Sequence, residues 1–199
     1  MKLSQVRPSL NAAAAILLFA GTCTGLSASL SAQAPAGAAH ATAAAATPQP
    51  VGPAAEVQAS YARFKANILK AAEKMPAADY GYKLTPEIRS FARVVNHITE
   101  AQLHTCTALN GTKFDQAKVP GDAVGKEAVI AGLKGSFEEC DRAYAAVNDK
   151  NLAETVDLFS SKRSRIGAAW ANVSHDNEQY AHLSLYLRGK NLIPPTSEK

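Results

Sequence analysis

Four histidines in two pairs carry most of the chemistry this sequence can offer. His175 and His182 stand seven residues apart in SHDNEQYAHLSLYLRGKNLIPP, and His97 and His104 repeat that spacing in VVNHITEAQLHTC. Seven residues is almost two α-helical turns, so each pair lies on one helix face. Imidazoles on two helices of a small bundle are the raw material of an inter-helix metal site. Members of one pair are about 10 Å apart along the axis, too far for both to bind one ion directly. No Gly-rich phosphate loop, nucleophile elbow, Cys-x-x-Cys or His-Glu-x-x-His motif is present. Asp176, Glu178, Asp141, Glu138 and Glu139 form carboxylate pairs on paper, but acids on helix surfaces ordinarily only face water.

The elements that must position these groups read as helices. Residues 56–75 place Val57, Tyr61, Phe64, Ile68, Leu69 and Ala72 at three- and four-residue steps, and Pro76 stops the run. After a polar connection in which Tyr80 and Tyr82 pack across the bundle end, Ser90 caps a second helix. Its stripe is Phe91, Val94, Val95, Ile98, Gln102 and Leu109, and Asn110-Gly111 ends it. TKFDQAKVPGDAVG is a loop. A third helix runs from Lys126 to Val147 on Val129, Leu133, Phe137, Cys140 and Tyr144. Residues 148–164 are mixed, with a short helix or turn around Leu152 to Leu158 and then a Ser-Lys-Arg-Ser break. The fourth helix runs from Arg165 to Arg188, with Gly189 closing it ahead of Pro194-Pro195. Its inward stripe reads Ile166, Ala169, Trp170, Val173, Asn177, Tyr180 and Leu187, turning polar in the middle at His175, Asn177 and Glu178. A polar interruption of an inward stripe needs partners, so it marks a site or a buried hydrogen-bond network. The fold class is all-α, a four-helix bundle.

The beginning of the chain is different in kind. Lys2 and Arg7 precede an apolar stretch, Leu10 to Ala20, of signal-peptide length, and small residues follow it. Residues 1–34 therefore read as a signal peptide, with an uncleaved anchor as the alternative. Residues 35–55, rich in Ala and Pro and without charge, read as a disordered linker, in which His40 is a chance residue. The domain proper is expected over 56–199, in a periplasmic or secreted bacterial protein with no stable membrane insertion after cleavage. The formal charge of +4 falls to about +2 once Lys2 and Arg7 are gone. With no basic run or aromatic-interleaved patch, nucleic acid is not an expected partner. Cys23 lies in the export signal, which leaves Cys106 and Cys140 as a disulfide or as two buried thiols. An oxidising compartment favours the bridge.

Three stretches together resemble the DinB-like, damage-inducible four-helix-bundle family, and within it an exported bacterial branch. They are ILKAAEKMPAADYGYKLTPEIRSFARVVNHITEAQ, LKGSFEECDRAY and SRIGAAWANVSHDNEQYAHLSLYLRGKNLIPP, in this order and spacing. The resemblance covers nearly all of 56–199. It implies a metal held by one His on the second helix and an H-x-x-x-H pair on the last. His97 matches the first position and His175 the second, while Gln179 stands at the third. An amide oxygen is a poor ligand for zinc or nickel beside an imidazole, so a divalent metal is expected to be weak or absent. His104, Glu178 and His182 are the candidates to stand in for the missing ligand. The expected function is a polar pocket, with a degenerate metal site, that binds a small molecule or metal without established catalysis, in a monomer or homodimer. The alternative implied by the resemblance is a metal-dependent thiol S-transferase-like enzyme.

Overall fold

The computed structural model describes residues 51–199; the signal peptide and most of the linker read from the sequence lie outside the described residues. Four helices make the fold: α1, Pro53–Lys74; α2, Phe91–Asn110; α3, Lys126–Ala146; and α4, Arg165–Gly189. Helix α2 packs on α3 and α4, and α1 packs on the same two helices, so α1 and α2 face each other diagonally across the bundle. A diagonal step needs a long crossover. Residues 75–90 supply it, with Tyr80 edge-on to Phe91 and donating its hydroxyl to the Ala72 carbonyl, while Tyr82 stands edge-on to Tyr186. No described helix is long and apolar enough to cross a membrane.

The second helix follows its sequence signals closely. Ser90 Oγ accepts from the Arg93 amide, every residue of the expected apolar stripe is buried, and Gly111 closes the helix in the left-handed region at φ 68°. The following loop folds back on α3, where Pro120 lies so close to Gly132 that a Cβ there would come within 2.3 Å of it. Cys106 of α2 and Cys140 of α3 form a disulfide with a Cα–Cα distance of 4.9 Å.

Two expectations need correction. Helix α1 begins at Pro53 rather than at 56, because proline suits the first turn, where its missing amide has no partner to lose. Helix α4 ends at Gly189 as expected, and the left-handed turn that follows falls on Asn191 at φ 59°. Residues 155–164 form neither a short helix nor a break. They are an antiparallel hairpin, β1 (Thr155–Leu158) and β2 (Ser161–Ser164), in which Val156 and Leu158 point inward. Two alternating apolar residues are too short a pattern to reveal a strand. The usual hairpin cue, a Gly or Asn in the turn, is missing as well, because Phe159 takes the positive φ of 54° at the first turn position.

Opening the bridge removes a constraint that closes a loop of 34 residues in the unfolded chain. The Cys106→Ala/Cys140→Ala variant is therefore expected to lose about 3–4 kcal/mol in denaturant unfolding. Alkylation of unreduced, unfolded protein is expected to label neither Cys106 nor Cys140.

Candidate functional site between α2 and α4

The middle of α4 is polar on its inward side, but one step around the helix from where the sequence pattern put it. Asn172, Asp176 and Gln179 are buried, whereas Asn177 and Glu178 are exposed and Trp170 is 39% exposed. Trp170 looks like a core anchor, and it draws the apparent stripe away from the true face. The spacing of 172, 176 and 179 is itself a helix-face signal, and it identifies the buried set once Trp170 is left out.

These residues meet partners from two other helices. The Gln102 amide donates toward both Asp176 carboxyl oxygens at 3.4 Å, and the Asn172 amide approaches Oδ2 at the same distance. Ser136 Oγ lies 2.7 Å from Gln102 Oε1, and Asn172 also donates to the Tyr144 hydroxyl at 3.3 Å. Tyr144 in turn donates to the Ala169 carbonyl and stacks on Tyr61. Asp176 is wholly out of solvent, and burial pushes its carboxyl up to about 7 against the pull of the Gln102 amide.

Beside this network, His97 of α2 and His175 of α4 come together. Their Nε2 atoms are 3.2 Å apart and their rings stand edge-to-face. Burial, with the Arg89 cation nearby, holds both imidazoles below their ordinary range. Both are neutral at neutral pH, so one donates an N–H to the lone pair of the other. His175 Nδ1 is buried with no hydrogen-bond partner.

A pocket of about 310 Å³ opens over the pair, lined by Ala101 and Thr105 of α2, Ala171 and Asn172 of α4, and Leu158, Phe159 and Arg163 of the hairpin. Phe159 is 72% exposed at its strained turn position. None of these seven residues stood out in the sequence as part of a site. A hairpin hidden in a mixed segment leaves no helical spacing by which to find its three. His104 stacks on Phe114 with ring centroids 3.6 Å apart and also borders Phe159. His182 is exposed, with Nδ1 3.3 Å from Gln179 Oε1, and Glu178 faces solvent.

The donor set can be compared with a metal site. Two imidazole nitrogens on one tetrahedral zinc would lie roughly 3.3 Å apart, so the His97–His175 separation suits either shared coordination or an N–H···N bond. Other requirements are not met. Among the described residues no group of three or more His, Cys, Asp and Glu comes together. Metal-bound histidines generally donate their other ring nitrogen to a carboxylate or carbonyl, and His175 Nδ1 has no such acceptor. The residues present fit two ligands of a metal site and not a complete one.

The fold defines a helical-bundle protein, with the candidate site on the seam between its second and fourth helices. A family model of the DinB superfamily matches residues 60–183, and the chain belongs to that superfamily. Its fold is similar to that of a DinB-like protein from Bacillus cereus ATCC 10987, at 15% identity and a TM-score of 0.59, over 70% of this chain and 93% of the other. A DinB-like protein from Bacillus subtilis is similar at 17% identity and a TM-score of 0.55, over 68% and 92%. No curated protein matches the chain.

The pH dependence of stability follows from Asp176. Its carboxyl titrates near 7 when folded and near 3.8 otherwise, so the unfolded chain gives up its proton first as pH rises. Its contribution to stability is complete below about pH 4 and is lost as pH climbs to about 7. Asp176→Asn is expected to be more stable than wild type by a few kcal/mol at pH 8, with the gap narrowing toward pH 4, as read from denaturant midpoints across that range.

Proposed function

We propose that the domain is a non-catalytic binding module that holds a small molecule in the pocket over His97 and His175. One observation carries this reading: two buried polar atoms without partners, Asn172 Oδ1 and His175 Nδ1, belong to residues lining that pocket. Such atoms each cost on the order of 1–3 kcal/mol unless something satisfies them. The neutral imidazoles add a donor and an acceptor, Leu158, Phe159 and the two alanines supply apolar walls, and Arg163 stands at the hairpin side. The strained Phe159 supports the same reading, since a bulky residue in a glycine position is kept at a cost in stability. A divalent ion binds here only through His97 and His175. An exported location fits the Cys106–Cys140 disulfide, which persists in oxidising compartments.

Fragment screening by methyl NMR on the oxidised protein is expected to find ligands that shift Ala101, Leu158 and Ala171. His175→Ala should abolish those shifts, and hits that cluster elsewhere would overturn the reading. Phe159→Gly is expected to weaken the same ligands at least about tenfold while keeping or raising the melting temperature, because glycine adopts the positive φ freely.

Zinc and nickel, titrated by calorimetry above the imidazole pKa, are expected to bind more weakly than about micromolar. Gln179→His should tighten them by roughly a hundredfold or more. Submicromolar binding lost in both His97→Ala and His175→Ala would put the metal-dependent thiol-transferase reading first.

A further inference from the structure

We propose that a second groove, at the other end of the α2–α4 seam, binds a small monocarboxylate with an apolar chain, the carboxylate on Arg89 and the chain between Leu84, Ile88 and Leu185. The groove encloses about 350 Å³ and shares no lining residue with the pocket under the hairpin. The proposal therefore stands apart from the function proposed above.

The walls argue for an apolar occupant. Leu84, Ile88 and Leu185 are 36%, 39% and 55% exposed, and all three line this one concavity, with buried Val94 and Tyr186 behind them. A single exposed leucine needs no explanation, but three around one hollow do.

The charge argues for an anionic end. Arg89 makes no ion pair among the described residues, whereas Arg93 nearby has both Glu100 and Asp122. The one acid in the lining, Glu87, is drawn below the usual carboxylate range by its own backbone amide and the Thr85 hydroxyl, and Lys83 donates to the Pro86 carbonyl. His182 at the rim is engaged by Gln179. The Arg89 carbonyl accepts from the Tyr186 hydroxyl, which ties the base of this side chain to the wall of the groove.

The amides at the start of α2 do not compete for the anion. Those of Phe91 and Ala92 go to the Tyr82 and Tyr80 carbonyls, and that of Arg93 to Ser90 Oγ. One unpaired guanidinium, whose planar fork matches a carboxylate, beside an apolar trough selects a monoanion with a hydrocarbon chain.

Octanoate is the probe, titrated into the oxidised protein with methyl NMR as the readout, and octanol and acetate as controls. Octanoate is expected to shift Leu84, Ile88 and Leu185 saturably, and acetate to shift nothing. Arg89→Gln should weaken octanoate at least tenfold and leave octanol unchanged, Arg89→Lys should restore part of the loss, and Leu185→Glu should abolish binding. Both positions are exposed, and unchanged circular dichroism checks that the variants fold. Equal octanoate affinity in wild type and Arg89→Gln, the absence of saturable shifts, or shifts confined to Ala101, Leu158 and Ala171 would each overturn the proposal. Because those three methyls report the hairpin pocket in the same spectrum, either site can fail without the other.

Discussion

Gln102 and Asp176 meet in the centre of the bundle, and the rest of the site depends on that contact. A carboxyl with no solvent exposure must find partners within reach, and Gln102 together with Asn172 supplies all that the surroundings offer. Turning α4 by even one residue would carry Asp176 away from Gln102. It would also move His175, its neighbour in sequence, off His97. The disulfide acts on the same helix from the other side. It ties α2 to α3 four residues beyond Gln102, and Cys140 Sγ lies 3.7 Å from the Gln102 carbonyl. The helix that carries His97 is therefore held against α3 by a covalent bond and against α4 by a polar one.

How much of this is legible without coordinates varies from element to element, for physical reasons. Helix α2 is legible throughout, because its cap, its apolar stripe and its closing glycine all point the same way. Helix α3 is legible from its apolar stripe alone, since Val129, Leu133, Phe137, Cys140 and Tyr144 are all buried while its ends carry neither a capping side chain nor a closing glycine. Helix α4 is legible as a helix, but the identity of its buried face is not. Alanines occur on several sides, the one tryptophan lies on the outer edge, and the buried side carries Asn172, Asp176 and Gln179 where a reader looks for leucine. The pairing of His97 with His175 comes through resemblance to a family and not through spacing, since four histidines at equal intervals permit several pairings.

The hairpin shows where local pattern fails altogether. Only Val156 and Leu158 alternate, β2 is exposed along its whole length, and the turn is made by a phenylalanine. Nothing in that stretch announces a strand, yet it forms a wall of the pocket and brings Arg163 and Phe159 to it. Local conflict of this kind, a bulky residue where glycine belongs, tends to mark a functional surface rather than a packing solution.

The two hollows on the α2–α4 seam then follow from one arrangement. The His97–His175 contact closes the seam at its middle, the hairpin widens one end, and the crossover from α1 to α2 widens the other. Arg89 stands close enough to the pair to help keep both imidazoles neutral, and neutral imidazoles can pack together without repelling. With Gln179 turned toward His182, the pair is left as two uncharged rings between a cation and an apolar pocket. That environment favours recognition by shape and hydrogen bonding over the concentrated charge that a third imidazole and a metal would bring.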